Sequence, residues 1–254
     1  MERKSVRQVI AGKHGNLAAI LELPQETPMA FGVFAHCFSC TKDLKAIVKI
    51  SRALAQRGFA ILRFDFTGLG QSEGDFSETT FLDNLDDVRS AVLHLAEEYE
   101  SPRFLMGHSL GGSAMLATAM EFESVEAVSV IASPSDTRHL ADTIYRLNPD
   151  VEEIGEGMVN TGTYEYLIKK PTVDVLRAYD LPTKLEAIDK RVLVFHSPAD
   201  QTLGMEHANA IASKSKGHAS VVNLESANHL LTDNFRDVDY VASVLSSWLI
   251  RYLD

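Results

Sequence analysis

The 254-residue chain is poor in cysteine, with only Cys37 and Cys40, and it has no apolar run that could cross a membrane. Two cysteines do not make the disulfide framework of a small secreted domain. No segment approaches the roughly 20 apolar residues of a transmembrane helix. Residues 1–15 also lack the apolar core of a secretory signal. These absences predict a cytoplasmic protein with no membrane span.

Positive charge is scarce as well. The chain has 24 Lys and Arg against 35 Asp and Glu, for a net charge of -11 at pH 7. A field of this sign repels a phosphate backbone, and no Lys/Arg-rich tract opposes it locally. We therefore expect no nucleic-acid partner.

Apolar segments of strand length alternate with helical segments along most of the chain. The expected strands cover residues 5–10, 17–23, 29–35, 60–65, 104–107, 127–132, 191–197 and 220–224, and the expected helices cover 41–56, 79–99, 109–121, 206–214 and 237–252. The first two strands form a hairpin, and Thr41 is the expected N-cap of the first helix. This order predicts an α/β fold, with a mostly parallel eight-stranded sheet and helices on both faces. We expect one domain over 1–254, interrupted at about 134–182.

The segment "GHSLG" (107–111) follows an expected strand and opens an expected helix, as a nucleophile elbow requires. Gly107 and Gly111 keep side chains out of a tight turn, so Ser109 can project above the sheet edge. Ser109 is therefore the candidate nucleophile. The alternative is that it only caps the following helix.

A serine hydroxyl needs a base, and the base needs an orienting carboxylate. His229, in "SANHLL", follows the last expected strand and precedes the last helix, so it lies in a loop at the carboxyl edge of the sheet. Asp200, in "HSPADQTL", follows the strand before that and is the expected acid. Asp136, one strand earlier, is the alternative acid. We expect neither a metal nor a cofactor.

Acyl transfer also needs N–H groups aimed at the developing oxyanion. One is expected from Leu110, directly after the nucleophile, and the other from Phe38 in "HCFSC" (36–40), the loop after the third strand. The Phe38 ring would also line the acyl pocket, while His36 would tie the loop down by hydrogen bonds. The same segment has CxxC spacing, which leaves open a thiol redox function for Cys37 and Cys40. A zinc site is disfavoured, because two cysteines without a second ligand pair leave the shell incomplete.

Five segments in order, "HCFSC", "DFTGLGQSEGD", "GHSLGG", "HSPADQT" and "ANHLL", resemble the α/β-hydrolase superfamily over nearly the whole chain. More narrowly, "FAHCFSCTKD" and "LRFDFTGLGQSEGDF" resemble the hydrolase half of proteins fused to an OsmC-like peroxidase domain. The chain departs from the wider superfamily at Cys37, where a glycine commonly follows the histidine. The resemblance implies esterase-type hydrolysis. We expect either a stand-alone relative or one half of a longer protein.

Residues 134–182 lie where this superfamily inserts its cap. We expect two short strands about "NTG" (160–162) and a short helix over 171–180. Side chains of this cap could line the pocket or simply pack it onto the domain. The residues expected to bind substrate are Phe38, His108, Tyr145, Met158 and Tyr166, with Ile144, Tyr164 and Leu167 as further candidates for the lining.

These features predict a serine hydrolase, foremost a carboxylesterase that cleaves small to medium acyl or aryl esters through an acyl-enzyme. A thioesterase or amidase on the same three residues is the alternative, and a thiol redox or accessory module using Cys37 and Cys40 is the alternative of another class. The expected partner is a small-molecule ester. A second copy of the chain, as a homodimer, and an OsmC-like domain stay open as partners.

Overall fold

The computed structural model describes residues 4–161, 164–216 and 218–253, and its centre is an eight-stranded sheet. The strands in chain order are β1 (Lys4–Gly12), β2 (Gly15–Leu23), β3 (Ala30–Ala35), β4 (Phe59–Phe64), β5 (Phe104–His108), β6 (Ala127–Ile131), β7 (Glu156–Asn160), β8 (Glu165–Lys169), β9 (Arg191–His196) and β10 (Ala219–Asn223). Across the sheet their order is β1-β2-β4-β3-β5-β6-β9-β10. The β1–β2 and β2–β4 pairs are antiparallel and the other five described pairs of this sheet are parallel, so the predicted mostly parallel eight-stranded sheet is confirmed.

Helices cover both faces of this sheet. They are α1 (Lys45–Ala55), α2 (Phe81–Glu98), α3 (Leu110–Thr118), α4 (Arg138–Leu147), α5 (Asp150–Glu153), α6 (Lys170–Ala178), α7 (Leu181–Ala187), α8 (Met205–Lys214) and α9 (Phe235–Tyr252). Apolar side chains of α1 and α9 pack on one face, and those of α2, α3 and α8 pack on the other. Strands β3, β4, β5 and β6 are buried at every residue, which explains why their sequences are apolar runs rather than alternating ones.

The insertion between β6 and β9 contains α4, α5, the antiparallel hairpin β7–β8, α6 and α7. The hairpin and α6 were expected, whereas α4 and α7 were not. Gly162 and Thr163, in and beside the expected "NTG" turn, lie outside the described residues. Within the described ranges, no helix combines the length and apolar character needed to cross a bilayer.

The prediction that α1 begins at Thr41 was wrong, because the helix begins at Lys45 with Leu44 as its N-cap. The physical reason is a buried ion pair. Lys42 is 1% exposed, and both its backbone N–H and its Nζ donate to the Asp65 carboxylate, each at 2.6 Å. These bonds hold residues 41–44 in a turn, so the helix begins four residues later than predicted.

A second buried ion pair lies beside the first. Arg63, 1% exposed, donates from Nη2 to Glu22 Oε1 at 2.9 Å and from Nη1 to the Lys42 carbonyl at 3.1 Å. The two pairs therefore form one network at the carboxyl ends of β4 and β3. Each charge has an opposite partner, which offsets the cost of removing it from water.

We expect Asp65→Asn to lower the free energy of unfolding by about 3–5 kcal/mol, because the substitution removes the buried carboxylate. The buried Lys42 ammonium would then keep only the exposed Asp43 carboxylate, 3.3 Å away, as a charged partner. Urea unfolding at pH 7 measures this loss. The matched control is Asp174→Asn, which removes an exposed partner of Lys170 and should change the stability little. Equal losses in the free energy of unfolding would contradict a larger contribution from the buried pair than from the exposed one.

Candidate active site

Ser109 occupies the tight turn between β5 and α3. Its backbone has φ 52° and ψ -127°, a conformation that residues other than glycine rarely adopt. A Cβ on Gly111 would lie 2.2 Å from the His36 carbonyl oxygen, and a Cβ on Gly107 would lie 2.4 Å from the Gly112 Cα. Only glycine fits at these two positions. The turn thereby directs the Ser109 side chain away from α3 and toward the loops at the sheet edge.

A continuous chain of hydrogen bonds joins Ser109, His229 and Asp200. His229 Nε2 lies 3.0 Å from Ser109 Oγ, and His229 Nδ1 lies 2.7 Å from Asp200 Oδ2. The other carboxylate oxygen of Asp200 accepts the N–H groups of Thr202 at 2.8 Å and Leu203 at 3.1 Å. The side chains of residues from three distant segments therefore meet, as the sequence led us to expect.

The electrostatics of Asp200 favour its ionised form. Burial raises the pKa of this carboxyl, but the hydrogen bond and charge of His229 and the N–H groups of Thr202 and Leu203 outweigh it, so the pKa lies below its ordinary value. An ionised Asp200 is only an acceptor, so it fixes the proton of the imidazole on Nδ1. Nε2 is then free to accept a proton from Ser109.

The alternative acid, Asp136, has a different role. Its Oδ1 accepts the backbone N–H of Arg138 at 2.8 Å at the start of α4. Its carboxylate also lies 4.0 Å from the Arg138 guanidinium. Asp136 therefore stabilises the start of α4, and Asp200 is the carboxylate that contacts His229.

The loop after β3 lies against the first turn of α3. His36 is fully buried, donates from Nδ1 to the Cys37 carbonyl at 2.7 Å and accepts the Phe66 N–H on Nε2 at 3.1 Å. Burial lowers the pKa of His36 to about 4, although its bond to Cys37 acts in the opposite direction. His36 therefore holds this loop as a neutral group, which is the structural role predicted for it.

Phe38 and Leu110, the two expected amide donors, lie on these neighbouring segments. Leu110 is the first residue of α3, so its N–H has no carbonyl partner within the helix. Phe38 lies in the loop between Cys37 and Cys40, which form a disulfide with a Cα–Cα distance of 5.2 Å. The CxxC pair thus encloses Phe38 within a short covalent ring.

A cavity of about 430 Å³ opens above Ser109 and His229. Phe38 and both cysteines line one side, and Leu140, Ile144 and Leu147 of α4 line the other. The described residues that line it include no Asp, Glu, Lys or Arg. The cavity can therefore take a neutral, largely apolar group next to the Ser109 hydroxyl.

Four of the five predicted substrate-binding residues lie outside this lining, and only Phe38 is part of it. His108 is buried beneath the His229 loop, and Tyr145 is buried with Arg177 4.4 Å from its ring centroid. Met158 is half-exposed, and the Tyr166 ring packs on Phe76, which in turn packs on Phe38.

Ile144 was expected in the lining, but helix α4 and its cavity-lining residues Leu140 and Leu147 were not predicted from the sequence. The signal was present in "RHLADTIYRL" (138–147), where Leu140, Ile144 and Leu147 recur at helical spacing of four and three. Of the cap residues expected to line the pocket, Ile144 does so.

Other candidate sites are weaker. In the parts of the chain that the structure describes, no group of three or more His, Cys, Asp and Glu side chains is arranged to hold a metal ion. A second depression, of about 420 Å³, lies between the ends of β2 and α1, and the described residues that line it include no serine, cysteine or histidine. Of these two cavities, the one above Ser109 is therefore the one whose described lining contains serine, cysteine and histidine.

The chain is similar to hydrolases of known structure and sequence. The family model for serine aminopeptidase, S33 (Hydrolase_4) matches residues 40–148. The esterase domain of a Rhodothermus marinus protein is 39% identical, covers 100% of both chains and superposes with a TM-score of 0.79. Est1E from Butyrivibrio proteoclasticus, solved with ferulic acid bound, is 22% identical over 97% of this chain and 99% of that one, with a TM-score of 0.83. This last likeness shows the fold alone.

Among curated proteins, human mitochondrial palmitoyl-protein thioesterase ABHD10 is 40% identical over 81 residues. The match covers 32% of this chain and 26% of that protein. The chain therefore matches about a quarter of the length of this relative.

We expect acid to destabilise the fold through His36 and His108. Burial lowers the pKa of His108 to about 3 and that of His36 to about 4, whereas each titrates near 6.5 when unfolded. The unfolded chain therefore binds more protons below pH 6.5, and each histidine lowers the free energy of unfolding by up to about 1.4 kcal/mol per pH unit. Urea unfolding at pH 7, 6 and 5 measures the slope. His108→Gln should flatten it, and an identical slope in that variant would contradict the assignment.

Proposed function

The chain belongs to the α/β-hydrolase superfamily, and from that premise we propose that it is a serine esterase that cleaves small to medium carboxylic esters through an acyl-enzyme. The observation that carries the proposal is the hydrogen-bonded chain of Ser109, His229 and Asp200 at the base of a neutral cavity. These groups have the types, order and contacts that nucleophilic catalysis by serine requires.

In the proposed reaction, Ser109 Oγ attacks the ester carbonyl while His229 Nε2 takes its proton. The carbonyl oxygen becomes an oxyanion that accepts the N–H groups of Leu110 and Phe38. Collapse of this intermediate breaks the bond to the alcohol, which receives the proton from His229. Water then attacks the acyl-enzyme with His229 as base, and the acid and free Ser109 are released. Asp200 keeps the imidazole oriented and stabilises its cationic form.

The acyl group is proposed to occupy the space between Phe38 and α4. Leu140, Ile144 and Leu147 present only aliphatic surface there, and no charged side chain of the described lining would pair with a charged substrate. This supports neutral acyl or aryl groups over charged ones. A homodimer, a link to an OsmC-like domain and a cytoplasmic location stay predictions from the sequence.

A thioester is the second substrate class, and one relative favours it. ABHD10, which shares 40% identity over 81 residues with this chain, is named a palmitoyl-protein thioesterase. The same three groups can cleave either bond, because a thiolate leaves with less protonation than an alkoxide. Turnover of matched ester and thioester pairs with the same acyl group, from acetyl to palmitoyl, would rank the two classes.

We expect Ser109→Ala to lower kcat for activated esters by roughly 10⁴-fold or more, because the variant lacks the attacking oxygen. It should also lose labelling by a fluorophosphonate probe, which reports the nucleophile without turnover. The Cys37→Ser, Cys40→Ser double variant is the comparison for the redox alternative and should still cleave esters and label. Unchanged turnover in Ser109→Ala would overturn the proposed function.

The choice of acid is tested by Asp200→Asn against Asp136→Asn. The first should lower kcat by roughly 10⁴-fold, because an amide no longer holds the proton of His229 on Nδ1. The second removes a helix-starting carboxylate and should leave kcat near the wild-type value. Initial rates with one activated ester give kcat for both variants. A larger loss of kcat in Asp136→Asn would identify Asp136 as the acid.

A further inference from the structure

Two buried histidines outside the Ser109–His229–Asp200 chain occupy the last positions of two strands. His108 ends β5 and His196 ends β9, and they are 2% and 0% exposed. The reaction proposed above assigns no proton transfer to either. Histidine is seldom fully buried unless it has a hydrogen-bonding role, so their placement needs a physical reason.

Each of these imidazoles contacts a backbone carbonyl in a loop that carries a proposed catalytic residue. His108 Nε2 lies 2.7 Å from the carbonyl oxygen of His229. His196 Nε2 lies 2.8 Å from the carbonyl oxygen of Leu203. A carbonyl can only accept, so each Nε2 must carry the proton and donate it.

The surroundings of the other ring nitrogen, Nδ1, agree with donation from Nε2. The Nδ1 atoms of His108 and His196 are buried, and neither has a hydrogen-bond partner among the described residues. An apolar side chain would fill either space without burying an unpaired nitrogen. The Nε2 bond is therefore what a histidine adds at these positions.

The two carbonyl groups belong to the loops that position His229 and Asp200. The His229 carbonyl belongs to the proposed base, and residue 108 is the chain neighbour of Ser109, so this bond ties the base to the nucleophile turn. Leu203 donates its N–H to Asp200 Oδ1 and accepts from His196 through its carbonyl, so this bond fixes the turn that holds the carboxylate.

We propose that His108 and His196 are positioning residues, which hold the backbone carbonyls of His229 and Leu203 and so set the Ser109–His229 and His229–Asp200 contacts. The proposal rests on the esterase function proposed above. Burial lowers the pKa of His108 to about 3, so this group stays neutral and keeps its donor geometry across the working range of the reaction.

The test compares side chains that differ in donating power and reach. His108→Leu fills the space but cannot donate, His108→Asn can donate but is too short, and His108→Gln places an amide nitrogen about as far from Cα as Nε2. His196 receives the same three substitutions. His94→Gln is the matched control, since His94 bonds the Gln8 side chain at the far edge of the sheet. All variants are first checked for folding by thermal unfolding.

We expect the Leu and Asn variants to lose roughly 100-fold in kcat with little change in KM, since displacements near 1 Å cost about that much. The Gln variants should recover to within about threefold of wild type, as should His94→Gln. This pattern distinguishes the two roles. If the histidine only filled space, the Leu variant would be as active as the Gln variant.

Two outcomes would overturn the positioning role: a folded Leu or Asn variant with wild-type kcat, or a folded Gln variant as slow as Leu. Where a Leu variant fails to fold, the Asn and Gln variants decide in the same way. Fluorophosphonate labelling of the wild type separates the failures. A wild type that does not label at Ser109 would refute the proposed esterase, whereas normal labelling with unaffected histidine variants would refute only the positioning role.

Discussion

The backbone turn at Ser109 is the constraint on which the rest of the site depends. Its φ of 52° costs on the order of 1–3 kcal/mol for a residue with a side chain, so the surroundings must hold it. The Ser109 N–H donates to the Ile131 carbonyl at 2.9 Å, and the Ser109 carbonyl accepts from Ser133 Oγ at 2.7 Å. Strand β6 and the residues just after it thereby supply both bonds. The position of Ser109 is consequently fixed by the sheet and not by a mobile loop.

The loop after β3 is held from two sides, and the insertion takes part. On the protein side, the Lys42–Asp65 pair anchors its far end within the buried charge network. On the cavity side, Ser39 Oγ donates to Thr161 Oγ1 at 2.8 Å, next to the β7–β8 hairpin. Tyr166 of the same hairpin contacts Phe76 edge to face, and the Phe76 ring in turn packs on Phe38. A movement of the insertion would therefore change the proposed amide donor as well as the cavity wall.

The sequence predicted the sheet and the meeting of Ser109, His229 and Asp200, because both follow from strand periodicity and from loops at one sheet edge. It did not predict where the cap side chains point. Tyr145 and Ile144 are neighbours on α4, yet one packs inward with Arg177 and the other lines the cavity. That choice depends on how α4 packs against α6, a tertiary contact that local pattern does not contain. The early N-cap at Thr41 failed for the same reason, since Asp65 is distant in sequence from Lys42.

In the wider superfamily a glycine commonly follows the histidine of the loop after β3. In this chain a disulfide closes that loop instead. A glycine at that position widens the range of backbone conformations, whereas Cys37 is 6% exposed and covalently joined to Cys40. The ring so formed contains only Phe38 and Ser39 between its ends. Fewer conformations are then available to the Phe38 amide before a substrate arrives. An oxyanion donor stabilises charge best when it needs no reorganisation, so the cysteine pair is compatible with hydrolysis and does not require redox chemistry to explain its place.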